Sequence, residues 1–358
     1  MNPGDSWLPA SEGMIQHATC AAALTAPITE DRFFQLEALG TTVNPKCGGC
    51  KCGKCPVPGS LYSFKEQTEY NKIMTNLVYR ADLKRWFTTL PWKSTRSALP
   101  RNKKAAVKML NALENSLEKK PDLAEEYNQV VRGMVERGAA VLLSKEVVEA
   151  WDQDGDYYYL PLVGVKGKKS FRLCYDASRK QCGCESMNCH LCKGPGRFMN
   201  DLLSVLLAFR NGRVGCAGDI KKFHNQVHLM EEDTHMQRFL WRFMERDKDP
   251  QHFAIPVVNF GVKPANCIAT CALRRSADHF TAVYPVESEE VKTQTYIDDQ
   301  LTAAANKEEA LVKTQRWDEI CDHASMPNAG WTYTGDQLST EIPLGGDEEE
   351  VDKRLGQS

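Results

Sequence analysis

TQTYIDDQLTAA, residues 293–304, sets Asp298 and Asp299 side by side after Tyr296 and Ile297, with short polar runs on both sides. The runs read as two strands of a hairpin with the aspartates at its tip. Adjacent carboxylates repel each other and cost stability unless solvent, a base or a cation compensates them. Two explanations stand at this point: a solvated turn, since Asp is a common turn residue, or a seat for a divalent cation.

A third carboxylate lies upstream. Asp219 closes the apolar strand VGCAGD. If the strand 213–219 runs beside the hairpin, Asp219 and Asp298 meet at one sheet edge; otherwise Asp219 is a strand-end or cap residue. Hard oxygen ligands of this kind suit Mg²⁺ (or Mn²⁺), which accepts substrate phosphates as its remaining ligands. Two such ions roughly 3.5–4 Å apart stabilise the attacking and leaving oxygens of an in-line phosphoryl displacement.

The bulk properties set limits. With 358 residues the chain suits two or three packed lobes. A net charge of -2 gives no global attraction to nucleic acid, so any such contact must come from local basic patches. No apolar run is long enough to span a bilayer, and the start MNPGDSWLPASEG has no signal-peptide pattern. The expected compartment is cytoplasm or nucleus, with no membrane partner.

Fourteen cysteines are many, and eight of them fall in two knots. Cys47, Cys50, Cys52 and Cys55 lie in KCGGCKCGKC; Cys182, Cys184, Cys189 and Cys192 lie in QCGCESMNCHLC. In a reducing compartment such spacing suggests zinc thiolates more than disulfides, with free thiols as the alternative. Nine residues make a short loop around one tetrahedral ion. Cys174, Cys216 and Cys267, in apolar stretches, read as plain core residues.

Along the chain, 61–92 has an extended character around its aromatics, and Pro91 and Pro100 exclude a long helix there. Val107, Leu110, Leu113 and Leu117, then Leu123, Tyr127, Val130, Val131 and Met134, predict a helical hairpin turning at Lys119–Pro121. A shorter helix is expected over 144–151. YYYLPLVGV and SFRLCYDAS predict a strand pair joined by the basic turn 166–169. Residues 199–211 predict a helix and VGCAGDI a strand. Further strands are expected at FHNQVHL, RFLWRF and HFAIPVV, and a helix over 265–280. Asn306 with Glu309 suggests a capping box for a helix through 324.

Alone, Tyr-x-Asp-Asp is a common match; the order of its companions is specific. Arg172 and Asp176 form Arg-x-x-x-Asp in FRLCYDAS, Asp219 follows in GDIKKFHNQV, NFGVKPANCIA covers 259–269, YIDD covers 296–299, and GWTYTG covers 330–335. In this order and spacing the chain resembles the reverse transcriptases of long-terminal-repeat retrotransposons, most closely the Bel/Pao group. The resemblance extends upstream through the CGGCKCGKC loop and the helical hairpin, over roughly 32–355.

The resemblance implies an α+β right-hand polymerase fold: fingers, and an antiparallel palm sheet backed by helices, with an N-terminal helical connector and most of the thumb absent. The implied divisions are a loosely ordered 1–30, a connector with the cysteine-rich loop at 31–100, and a helical hairpin leading into the fingers at 101–151. Fingers at 152–212, palm at 213–340 and an acidic tail at 341–358 follow. The implied reaction is RNA-directed DNA synthesis, adding deoxynucleotides to a primer 3′-hydroxyl on an RNA or DNA template. Asp219 and Asp298 would ligate Mg²⁺ with help from the Ile220 carbonyl, and Asp299 would complete the acidic pair. Arg172, with Lys168 or Lys169, would grip the incoming triphosphate, since guanidinium matches phosphate oxygens in bidentate geometry. Gly261 would let backbone approach the templating pair. Tyr296 and Trp331 would lie along the primer.

His224 stands where these enzymes carry the aromatic that excludes the ribose 2′-hydroxyl. No Asp-Thr/Ser-Gly protease triplet occurs, and other polyprotein domains are expected to be missing. The alternatives are an inactive remnant that only binds nucleic acid, and a zinc-thiolate module built on Cys47, Cys50, Cys52 and Cys55.

Overall fold

The computed structural model describes residues 62–166, 171–180, 183–196 and 198–334. Local chemistry begins the order of elements. Ser63 caps helix α1 (Phe64–Asn76): its hydroxyl accepts from the Glu66 amide, and the Glu66 carboxylate returns to the Ser63 amide at 2.9 Å. That helix replaces the first half of the extended stretch expected over 61–92; strands at Val78–Arg80 and Arg85–Thr88 occupy part of the second half. Of its aromatics, Tyr70 packs 5.5 Å from Phe198 and 5.8 Å from Tyr62, while Phe64 is exposed.

β1 (Val78–Arg80) and β2 (Arg85–Thr88) form a hairpin, and the predicted helical pair follows as α2 (Lys103–Leu117) and α3 (Pro121–Glu136). Pro121 occupies the first turn of α3, where its missing N–H costs nothing. The buried stripes Ala106, Leu110, Leu117 and Ala124, Tyr127, Val131, Met134 follow the spacing read from the sequence. β3 (Val141–Leu142) leads to α4 (Lys145–Asp154), capped by Ser144. β4 (Leu162–Lys166) pairs antiparallel with β5 (Phe171–Tyr175) as a separate two-stranded sheet. The Tyr127 hydroxyl accepts from the Gly164 amide at 2.6 Å, tying this hairpin to α3.

Short helix α5 (Met187–His190) and the apolar helix α6 (Leu202–Phe209) precede β6 (Val214–Ile220). FHNQVHL departs from the expected strand. Lys222 turns the chain at φ 48°, residues Phe223–Gln226 form a 3-10 turn, and only β7 (His228–Leu229) is extended. α7 (Glu231–Thr234), β8 (Arg238–Trp241), β9 (Gln251–Ala254) and α8 (Ala265–His279) come next. α9 (Pro285–Gln294), β10 (Thr295–Tyr296), β11 (Asp299–Ala304), α10 (Lys307–Asp322) and β12 (Asn328–Tyr333) complete the series. Asn306 caps α10 by accepting from the Glu309 amide at 2.9 Å; the Glu309 carboxylate reaches the Ala305 amide instead of the cap itself.

The protein is thus α+β with several small sheets. The central one has strand order β10-β11-β6-β12, antiparallel throughout. Trp317, Ile320 and Cys321 of α10, and a run of small buried residues on α8 (Ala269, Cys271, Ala272, Ser276, Ala277), belong to the main core. Small residues let a helix approach closely, so packing rather than propensity holds α8. No described helix is long and apolar enough to cross a membrane.

Candidate active site

The central sheet decides what the three carboxylates do. β11 pairs with β6 so that Asp299 stands opposite Asp219, with Gln300 opposite Gly218 and Ala303 opposite Gly215. Residues directly opposed across a ladder project to the same face, so Asp219 and Asp299 share one side of the sheet. β10 pairs Tyr296 with Asp299, leaving Ile297 and Asp298 as a two-residue turn. Ile297 takes φ 60°, a conformation that costs a β-branched residue about 1–3 kcal/mol. The Ile220 amide donates to the Asp298 carbonyl at 2.9 Å and stitches the turn to the end of β6.

The result is convergence: one carboxylate oxygen from each of Asp219, Asp298 and Asp299 lies within 4.8 Å of the others. Among the described residues none of the three forms an ion pair with Lys or Arg. Burial, then Asp298, then Asp299, push the Asp219 carboxyl up to about 6; burial and Asp298 raise Asp299 as well. The cluster gathers negative charge that no described Lys or Arg pairs with, and a bound dication would reverse the local pKa logic. Three hard oxygen donors at a sheet edge fit Mg²⁺ or Mn²⁺.

A dry layer supports the site from beneath. A side chain at Gly218 would place its Cβ 2.3 Å from Asn328 Nδ2 and 3.0 Å from Trp331 Cε3, so only glycine fits beside Asp219. Asn328 donates to Gln300 at 2.7 Å, and the fully buried Gln300 donates to the Cys321 sulfur at 3.2 Å. Trp331, expected along the primer, is instead buried: its Nε1 donates to Asp318 at 2.9 Å and its ring meets Trp317 edge-on at 5.8 Å. β12 pairs with β6 through a bulge between Asn328 and Trp331, which sets this inward orientation.

Two other predicted residues, His224 and Gly261, meet at one loop. His224 is buried, bonds through Nε2 to Asn266 Oδ1, and meets the exposed Phe260 ring edge-on at 4.8 Å. Burial lowers its pKa despite opposing effects of Asn266 and Asp298, so the imidazole is neutral near pH 7. Gly261 has φ 103°, and a Cβ there would stand 2.6 Å from the Tyr175 carbonyl at the end of β5. Arg172 lies on that same strand, exposed, opposite Val165. The site loop and the β4–β5 hairpin therefore touch directly. Tyr296 is half-buried and shares the face of Asp299, its partner in register.

A scan against protein-family models matches none, and no curated protein matches. Among solved structures, the chain is similar to a foamy viral protease–reverse transcriptase in complex with double-stranded DNA, at 11% identity and a TM-score of 0.42. The likeness covers 57% of this chain and 30% of that one.

Lys168, Lys169 and the Cys47, Cys50, Cys52, Cys55 knot lie outside the described residues, as does Cys182. Cys184, Cys189 and Cys192 do not converge with His190; among the described residues the aspartate trio is the one metal-competent group. The second knot instead carries Asn188, which sequence reasoning missed. Its side chain donates to the Gly261 carbonyl at 2.8 Å and accepts from the Lys263 amide at 2.8 Å, holding the site loop at two points. The only sequence signal was a polar residue amid cysteines.

Proposed function

We propose that this chain is the reverse-transcriptase region of a Bel/Pao-like retrotransposon polyprotein, an RNA-directed DNA polymerase of the right-hand fold. One observation carries the reading: Asp219, Asp298 and Asp299 meet within bonding reach of a common cation, in a sheet that sets Asp299 opposite Asp219. The motif order across Arg172, Asp219, Gly261 and the YIDD turn supports the same conclusion.

In this reading the Asp219 and Asp298 carboxylates would hold Mg²⁺ with help from the Ile220 carbonyl, and Asp299 would complete the acidic pair. When bound, the ions supply charge neutralisation for phosphoryl transfer from a deoxynucleoside triphosphate to a primer 3′-hydroxyl. Arg172, with Lys168 or Lys169, would grip the triphosphate. Being neutral, His224 offers no charge to a phosphate, so its part is steric, closing the sugar pocket with Phe260 behind it. Gly261 gives the template base a side-chain-free backbone to lie against. Tyr296 lines the primer side. The protein works on RNA or DNA in cytoplasm or nucleus.

Purified protein should extend a primed template with deoxynucleotides in the presence of Mg²⁺, with Asp298→Asn as control. Incorporation no greater than in that variant would leave a remnant that binds nucleic acid without catalysis.

A further inference from the structure

Helix α6 is unusual in what it leaves in water. Of its eight residues, LLSVLLAF, only Val205 is buried. Leu202, Leu203, Leu206 and Leu207 are 44%, 46%, 37% and 50% exposed. At positions i, i+1, i+4 and i+5 they form a single stripe along the helix. Four adjacent exposed leucines exceed what scattered surface apolar residues explain, and a two-turn helix has little intrinsic stability to spare. The helix is nevertheless pinned at both ends. Asn200 donates to the carbonyls of Lys292 and Thr295 at 2.9 and 2.7 Å, and Phe209 lies where a Gly215 side chain would be, 2.7 Å from its Cβ position.

The same glycine marks where the rest of the chain emerges. The Gly215 amide donates to Thr334 Oγ1 at 2.7 Å, and the Thr334 amide donates to the Gly215 carbonyl at 2.8 Å. Thr334, the last described residue here, therefore lies at the Phe209 end of the leucine stripe. Residues 335–344 read GDQLSTEIPL, with Leu338, Ile342 and Leu344 spaced among polar residues. An eight-residue helix is about 12 Å long, a distance about four extended residues cover. Leu338 is four residues past Thr334. Beyond Gly345 and Gly346 comes the acidic run Asp347-Glu348-Glu349-Glu350. At the same end of α6, Arg210 and Arg213 are exposed, and neither forms an ion pair among the described residues.

We propose that residues 335–344 dock on the leucine stripe of α6, with the acidic run folding back at the glycine pair to meet Arg210 and Arg213. The segment is the occupant favoured over a second copy of the chain because its anchor, its reach and its charge all suit this one surface.

Hydrogen–deuterium exchange on the intact chain tests this. Amides of 338–344 should exchange at least about tenfold more slowly than in the free peptide, and that protection should vanish in Leu206→Gln/Leu207→Gln. In a chain ending at Thr334, α6 amides should lose protection while β6 and β11 keep theirs, which also certifies the fold. Free-peptide exchange of 338–344 in the intact chain, with β6 and β11 protected, would overturn the proposal. So would α6 protection that survives the truncation and falls on dilution in step with a dimer measured by light scattering.

Discussion

Two sets of acidic residues in this molecule face the same problem and resolve it oppositely. Asp233 and Glu114 are completely buried, yet each is saturated with donors. Asp233 accepts from the Leu90 amide, from Trp92 Nε1 at 2.7 Å and from Arg96 Nε at 2.6 Å. Glu114 accepts from Arg242 Nε at 2.8 Å, with Arg246 3.8 Å away. Asp219, Asp298 and Asp299 are less buried, have no basic partner among the described residues, and sit against one another. A folding chain that can satisfy a wholly buried carboxylate three times over does not leave three others unpaired for want of donors. The unpaired set is the one poised for something outside the protein.

Neutralising one acid of each set separates the two roles most strongly. Asp298→Asn should cut Mg²⁺-dependent incorporation by at least about a thousandfold, roughly 4 kcal/mol of transition-state stabilisation, while leaving stability unchanged or slightly higher. Asp233→Ala should do the reverse. It leaves Arg96 and a buried indole N–H without their acceptor, at about 3 kcal/mol of unfolding free energy by urea titration. If Asp298→Asn unfolds the protein or Asp233→Ala is neutral, the division between structural and functional acids fails.

Gly218→Ala sharpens the comparison from the supporting layer. The added methyl must displace Asn328 or Trp331, an overpacking cost of about 2 kcal/mol. Because the strain falls next to Asp219, incorporation should drop alongside the unfolding midpoint. A midpoint shift with full activity would mean the layer supports the sheet but does not position the carboxylate.

Legibility in the sequence follows the range of the interactions. The YIDD hairpin and the α2–α3 pair were readable because their signals are local: alternation around a two-residue turn, apolar spacing, and Pro121 at a helix start. α1 was misread although Ser63 and Glu66 spell its cap, because Tyr62, Phe64 and Tyr70 weigh toward strand by propensity. α9 offers little periodic apolar signal, with Val286 exposed and Val291 buried. At the site, Asp219 could be joined to Asp298 only through a motif order. Nothing local marks Asn188, Asn266, Gln300 or Asn328, whose roles depend on partners 21 to 75 residues away. Trp331 shows the same limit: its register is legible, but a bulge decides which way its ring points.

The smallest effect separates the two sets by pH. Asp219 ionises near 6 in the folded protein against an ordinary 3.8, so the folded state holds this proton where the unfolded chain has lost it. Its contribution is therefore fully present below about 4, falls as pH rises to about 6, and stays flat above. Two units would be nearly 3 kcal/mol; solvent screening at this edge reduces the expected change to about 1–2 kcal/mol. Asp318, also near 6, has the same sign, and His228, His235 and His252, lowered to about 4, have the opposite one. The readable quantity is thus the wild-type stability minus that of Asp219→Asn, compared from pH 4 to 7. That difference should decline across the interval without metal. Added Mg²⁺ binds the ionised form, so at pH 7 it should stabilise wild type, by about 2.7 kcal/mol at a hundred times its dissociation constant, and leave Asp219→Asn nearly unmoved. A difference that rises with pH, or a variant that Mg²⁺ stabilises equally, would place the raised carboxyl among the structural acids and remove the electrostatic case for a cation at this edge.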